Sequence, residues 1–154
     1  MNAQLPSDSL ERRLERRMHA EIPLTRSIDV RVSTYDGKAL TLKAPLAMNS
    51  NHKGTAFGGS LFSLAVLAGW GLLVLKLGER HLDAELVIQD SNVEYLAPVR
   101  GDFSAQSRLD ADEWERFMRT LSRRGKARVQ VAVTISQDGR DAVRFEGTFA
   151  GIKR

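Results

Sequence analysis

Gly58 and Gly59 stand where an uncharged, strongly apolar stretch takes on helical character, and they are the residues best suited to chemistry. With no Cβ at either position, a ligand can approach the bare backbone N–H groups of a helix start. The helix dipole favours negative charge at that point. Neighbouring motifs fail on inspection. Gly58-Gly-Ser60-Leu-Phe62 lacks the closing glycine of a nucleophile elbow, and Ser60 falls inside the helix start. Gly54 to Gly59 has no Gly-Lys-Ser/Thr ending, and Gly69-Trp-Gly71 runs into Leu-Leu-Val, so neither is a phosphate or dinucleotide loop.

Candidate proton acceptors lie elsewhere. Asp90, Asn92 and Glu94 recur at period two, which puts them on one strand face and interrupts the apolar face begun by Leu86 and Ile88. A mid-strand acid disfavours β structure and is costly if buried alone. Asp90 therefore reads either as a working carboxylate or as a solvent- or interface-facing group paired with arginine. His52 is a second candidate base or an exposed loop histidine, and Asn49, Ser50 and Asn51 beside it are turn formers. His19 and His81 show no metal-ligand spacing, so no metal is expected. The chain has no cysteine, which excludes disulfides, a thiolate nucleophile and zinc–thiolate sites. No cofactor is expected either.

Net charge is +4, but the basic residues are interleaved with acids. A second basic group, Arg116, Arg119, Arg123, Arg124, Lys126 and Arg128, has few aromatics near it and no RNA-binding signature. It does not read as a nucleic-acid platform. It suits an acidic ligand such as a nucleotide phosphate or an acidic carrier protein.

The elements that must position these groups are legible from pattern. Between Lys53 and Lys76 run 22 residues without a charge. That length and composition fit a membrane span. Glycines and serines in its first third, the Gly69 and Gly71 pair, and single flanking lysines point instead to a buried core helix. Residues 1–24 read as an amphipathic helix and lead-in, with Leu10, Leu14 and Met18 as its stripe, Arg12 and Glu15 as a pair, and Asp8 with Glu11 as the cap. They show no secretory h-region, and a cytoplasmic location is expected. Past Pro23, alternation from Ile28 to Val32 and at Leu40 and Leu42 gives two strands about a Tyr35-Asp-Gly37 turn. After the helix come strands near 85–99, 103–109, 127–136 and 142–152, with a short helix over 111–123 and a hairpin at Asp138-Gly139. The 154 residues suit one domain over 1–154. The expected class is α+β: helix, two strands, a long buried helix, then four strands in a meander, one antiparallel sheet wrapping the helix.

Five segments carry a resemblance: Glu21-Ile-Pro-Leu-Thr25, Pro45-Leu-Ala-Met-Asn-Ser-Asn51, Gly54-Thr-Ala-Phe-Gly-Gly-Ser60, Ala68-Gly-Trp-Gly71 and Asp90-Ser-Asn-Val-Glu-Tyr-Leu-Ala-Pro-Val99. Together they resemble the hot-dog fold thioesterases related to the C-terminal domain of YiiD. The resemblance implies hydrolysis of an acyl-CoA or acyl-carrier-protein thioester. Such a reaction needs an oxyanion site, a held water and a proton acceptor. The Gly58 and Gly59 amides fit the first role. Asn51 matches an asparagine that orients the attacking water in similar phenylacetyl-CoA-type enzymes. Those relatives place a carboxylate on the central helix where this chain has Val66, and a histidine where it has Phe57. Asp90 is then the best substitute base.

The resemblance further implies a tunnel beside Phe57, Ser60, Leu61 and Trp70 for the acyl group. It also implies a homodimer or dimer of dimers, with Arg123, Arg124 and Lys126 free to serve a partner's substrate. Two other classes remain open. The missing helix carboxylate fits a non-catalytic acyl-CoA or acyl-carrier binding module, and a purely structural domain would fill the pocket with side chains.

Overall fold

Helix α1 (Leu10–Glu21) opens the part of the chain described by the computed structural model, residues 8–154. Its cap is Ser9, whose Oγ accepts the Arg12 N–H at 3.1 Å, not the Asp8 and Glu11 arrangement expected. Leu14 and Met18 are buried while Leu10 at the end of the stripe is exposed. Glu15 receives Arg12 at 3.0 Å, as the spacing predicts. Its second oxygen accepts the Val32 N–H at 2.9 Å and ties α1 to the sheet edge.

A single helical turn, α2 (Leu24–Ser27), comes before the first strand, because Thr25 is buried and its hydroxyl turns back to the Ile22 carbonyl at 2.7 Å. Strands β1 (Arg31–Tyr35) and β2 (Ala39–Ala44) form the first hairpin. Then follow α3 (Gly58–Glu79), β3 (Ala84–Tyr95), β4 (Phe103–Arg108), α4 (Ala111–Arg124), β5 (Lys126–Gln137) and β6 (Arg140–Lys153). The β5–β6 turn has left-handed Asp138 and Gly139, as an Asp-Gly hairpin requires.

All six strands join one antiparallel sheet in the order β1-β2-β4-β5-β6-β3. The expected four-strand meander does not form. β3 pairs with β6 at the sheet edge, and β4 sits between β2 and β5. The connection 96–102 makes this possible: seven residues reach roughly 20 Å, enough to cross the two strands between β3 and β4.

A register shift between Ile88 and Asp90 then changes which face each β3 side chain takes. Before it, Ile88 lies opposite Phe149; after it, Val93 lies opposite Phe145 and Tyr95 opposite Val143, all on the inner face. Asp90, Asn92 and Glu94 fall opposite Thr148, Glu146 and Arg144 on the outer, polar face. The single continuous face expected from Leu86 to Glu94 is thus broken by the bulge.

The inner face of the sheet wraps α3. Leu64, Ala65, Ala68, Leu72 and Leu73 of α3 are fully buried among Leu40, Val131, Phe145 and Phe149. α3 is long and apolar enough to cross a membrane, yet most of it is buried inside the domain. It is the core helix. Its C-terminal end is tied down by Lys76 Nζ on the Gly37 carbonyl at 3.0 Å, by Tyr35 to Glu79, and by Arg80 to Glu115.

Candidate active site

The opposite end of α3 is built differently. The chain reaches it through residues 45–57, fixed by a pairing of Ser50 with Ala56 and by the Ala56 N–H on the Val99 carbonyl at 2.8 Å. The Phe57 N–H donates to the Asn49 carbonyl at 2.7 Å, and the Leu61 N–H makes the first helical bond to the Phe57 carbonyl at 3.1 Å. No side chain caps the helix among the described residues. The N–H groups of Gly58, Gly59 and Ser60 are therefore the donors that helix geometry leaves without intrahelical acceptors.

Two aromatic rings flank those amides. A Cβ on Gly59 would lie 2.5 Å from the Phe57 ring, and one on Gly58 3.5 Å from the Tyr95 ring. The Tyr95 hydroxyl donates to the Gly58 carbonyl at 3.0 Å. Both rings are half exposed, Phe57 at 56% and Tyr95 at 52%. Tyr95 reaches this position because the bulge in β3 turns it inward.

Asn51 sits at the tip of the entry loop. Its Oδ1 accepts the Lys53 and Thr55 N–H groups at 2.8 and 3.1 Å, and its Nδ2 donates to Thr55 Oγ1 at 2.9 Å. One Nδ2 hydrogen remains available. Asn49 was read from the sequence as a turn former, yet it is 3% exposed and anchors the loop. Its Nδ2 reaches the Ile28 and Pro45 carbonyls at 3.0 and 2.8 Å, while its Oδ1 is buried without a partner.

The other residues singled out by sequence are not gathered at this point. Asp90 lies on the outer face, and its Oδ1 accepts the Ser91 N–H at 2.8 Å. Arg123 and Arg124 close α4 and Lys126 opens β5. Tyr95, beside Gly58, pairs with Val143 and so lies level with Ile135, nine residues further along β5, about 30 Å from Lys126. Leu61 is buried in the core. Tyr35 and Asp36 are also remote, in the β1–β2 hairpin.

One turn further along α3 from the amides, starting at Phe62, an apolar groove of about 310 Å³ opens. Phe62, Val66 and Trp70 line it from α3, Ile88 and Phe149 from the sheet, and Leu24 from α2. Ser63 and Trp70 are its polar-bearing side chains; no carboxylate lines it among the described residues. Phe62, Val66 and Trp70 recur every four residues, the period that puts them on one helix face. That stripe was readable in the sequence, but a helix apolar all round gives no sign of which stripe stays open. Tyr95 had no comparable signal, since its direction depends on the bulge.

Thus the described residues combine three uncapped amides at a helix N-terminus, two flanking rings and an adjoining apolar groove. Chemically this can hold a polarised carbonyl at the amides with its alkyl tail alongside α3.

Comparison with known proteins bears on the family and the fold. The family model described as "Putative thioesterase (yiiD_Cterm)" matches residues 11–153. A solved structure of a protein of unknown function from Chlorobaculum tepidum is 34% identical, covers 99% of this chain and 100% of its own, and superposes with a TM-score of 0.91. A "putative thioesterase" from Shewanella oneidensis is 29% identical over 94% of this chain and 99% of its own, with a TM-score of 0.85. A Pseudomonas aeruginosa protein described as "Probable Thioesterase" shares 22% identity over the full length of both chains and the same fold, with a TM-score of 0.78.

Proposed function

This chain belongs to the YiiD_C family of hot-dog fold thioesterases, and we propose that its substrates are acyl thioesters of coenzyme A or of an acyl carrier protein. The thioester carbonyl oxygen lies against the Gly58 and Gly59 N–H groups. Charge grows on that oxygen as water attacks, and preorganised donors at a helix N-terminus stabilise it more than they stabilise the ground state. The acyl chain runs along Phe62 and Val66.

The attacking water is held by the remaining Nδ2 hydrogen of Asn51. Its proton passes to solvent or to Asp90 of a second subunit, since the outer-face position keeps a subunit's own Asp90 from its amides. The same reading makes the protein a homodimer, or a dimer of dimers. Its support is β3, a twelve-residue edge strand with one ladder partner and an exposed Val87. Arg123, Arg124 and Lys126 would then meet the phosphates or acidic carrier of the other subunit's substrate. A cytoplasmic setting, where such thioesters occur, belongs to the same proposal.

The observation that carries this reading is the uncapped Gly58–Gly59 helix start followed, one turn along the same helix, by an apolar groove. A second reading, an acyl-thioester binding module without turnover, is favoured by Val66 standing in a groove that no carboxylate lines among the described residues. Thiol release from a panel of acyl-CoAs separates the two, and the absence of cysteine removes protein background from a thiol reagent. Turnover in wild type that falls about tenfold or more in Asn51→Ala supports hydrolysis with a held water. Saturable binding without turnover supports the binding module.

A further inference from the structure

Trp70 is the one residue shared by two spaces that lie end to end along α3. On its N-terminal side is the apolar groove of Phe62 and Val66. On its C-terminal side is a larger and more polar space of about 430 Å³, into which Val74 and Leu77 continue the same helix stripe and whose rim carries Arg17, His81, Asp83, Glu85 and Arg154. The Arg17 guanidinium lies over the Trp70 ring, 5.3 Å from its centroid, and is itself held by Glu21 at 2.9 Å. A cation over the ring face favours one ring position. Helical side chains lean toward the N-terminus, so the indole leans back across the groove from its own Cα.

Resting on the thioesterase reading above, we propose that Trp70 is the end wall of the acyl site and sets the longest chain the enzyme accepts. From Gly59, whose amide holds the carbonyl, to Trp70 the helix rises about 16 Å. An extended alkyl chain advances about 1.25 Å per carbon, from C–C bonds of roughly 1.5 Å at tetrahedral angles. The walled site therefore suits acyl groups of roughly twelve to fourteen carbons. Beyond the wall, the stripe to Leu77 continues for about 10 Å more. Removing the indole joins the two spaces and admits at least about four more carbons, one helical turn's worth.

The specific expectation is a change in length profile, not only in rate. Saturated acyl-CoAs from about four to twenty carbons bracket the length set by the helix rise. Across them, wild type prefers chains of about twelve to fourteen carbons, and Trp70→Ala moves the optimum up by about four carbons or more. Its kcat/KM for the longer chains rises roughly ten- to a hundredfold, as burial of the added methylenes predicts. Adding Val74→Phe to Trp70→Ala places a ring one turn further on and pulls the limit back. Trp70→Phe keeps a ring in place and covers the case in which Trp70→Ala does not fold; it gives a smaller shift in the same direction.

Calorimetric binding of saturated fatty acids of the same lengths provides a readout free of turnover. If no variant hydrolyses any thioester but fatty-acid binding shifts in length as described, the hydrolytic reading fails and the wall assignment stands. If wild type hydrolyses thioesters and the folded Trp70 variants keep its length profile, the wall assignment is overturned and the hydrolytic reading stands. Failure of Val74→Phe to shorten the limit in the Trp70→Ala protein also overturns it.

Discussion

Helix α3 carries two glycine pairs, and the space around them differs in kind. Gly69 and Gly71 are buried. A Cβ at Gly69 would lie 2.9 Å from Phe149, and one at Gly71 would lie 2.9 Å from Leu40 and 3.0 Å from Met18. These glycines let the sheet and α1 approach the helix, which offsets the roughly 1 kcal/mol each costs in a helix interior. A Cβ at Gly58 would make ordinary contact with the Tyr95 ring at 3.5 Å, and one at Gly59 would press on the Phe57 ring at 2.5 Å, but both rings are half exposed and have room to turn aside. Packing explains the first pair and leaves the second over. The ends of the helix differ in the same sense: side chains tie down the Glu79 end, and none caps the Gly58 end.

The sharpest way to break that contrast is Gly58→Pro. Gly58 is the first residue of α3, where proline is well tolerated because its missing N–H has no helical acceptor to lose. The preceding residue, Phe57, has φ −65° and ψ 132°, the extended conformation that proline requires before it. The variant should keep the wild-type melting temperature. Its kcat should fall about a hundred- to a thousandfold, the usual loss for one oxyanion donor. Wild-type turnover in Gly58→Pro would remove that amide from the mechanism.

Gly71→Ala should behave in the opposite way. Its Cβ enters a packed core between Leu40 and Met18, so overpacking should cost about 1–3 kcal/mol. For a domain of this size that lowers the melting temperature by roughly 2–4 °C per kcal/mol. Below the transition, thiol release per folded molecule should stay near wild type. A loss of specific activity without a loss of stability would mean that the two glycine pairs share one role.

Much of this arrangement was legible in the sequence, and the parts that were not have definite causes. An uncharged run that is apolar on every face had to become the core helix, and Asp138-Gly139 had to turn. Periodicity at Val129, Val131, Val133 and Ile135 announced a half-buried strand, and those residues are buried. β3 resisted because a bulge at one residue reverses the face of everything after it, and nothing local to Gln89 announces one. That single shift sent Asp90 outward and Tyr95 inward. Sheet order was also misread, since pairing β3 with β6 depends on contacts distant in sequence. At the site, Gly58 and Gly59 were visible by residue type. The groove was not, because which stripe of α3 stays uncovered is decided by the elements around it.

The smallest expected effect tests the fixed end of α3. The Tyr35 hydroxyl donates to Glu79, and burial together with that carboxylate raises the phenol pKa above its ordinary value of 10.0. A proton affinity higher in the folded than in the unfolded state means that folding is favoured while the phenol stays protonated. The contribution is fully present below about pH 10 and is lost as pH rises through the raised folded value. Tyr35→Phe should therefore lower stability in urea by about 0.5–1 kcal/mol at pH 8, the net worth of a partly exposed hydrogen bond. The gap from wild type should close as the pH is taken above 10, because unfolded wild type then gains by ionising Tyr35 while the variant has no such group. Thiol release at pH 8 should be unchanged, since this hydroxyl lies at the other end of the helix from Gly58. A gap that widens with rising pH would mean that the phenol ionises more readily in the folded protein, contrary to its contact with Glu79.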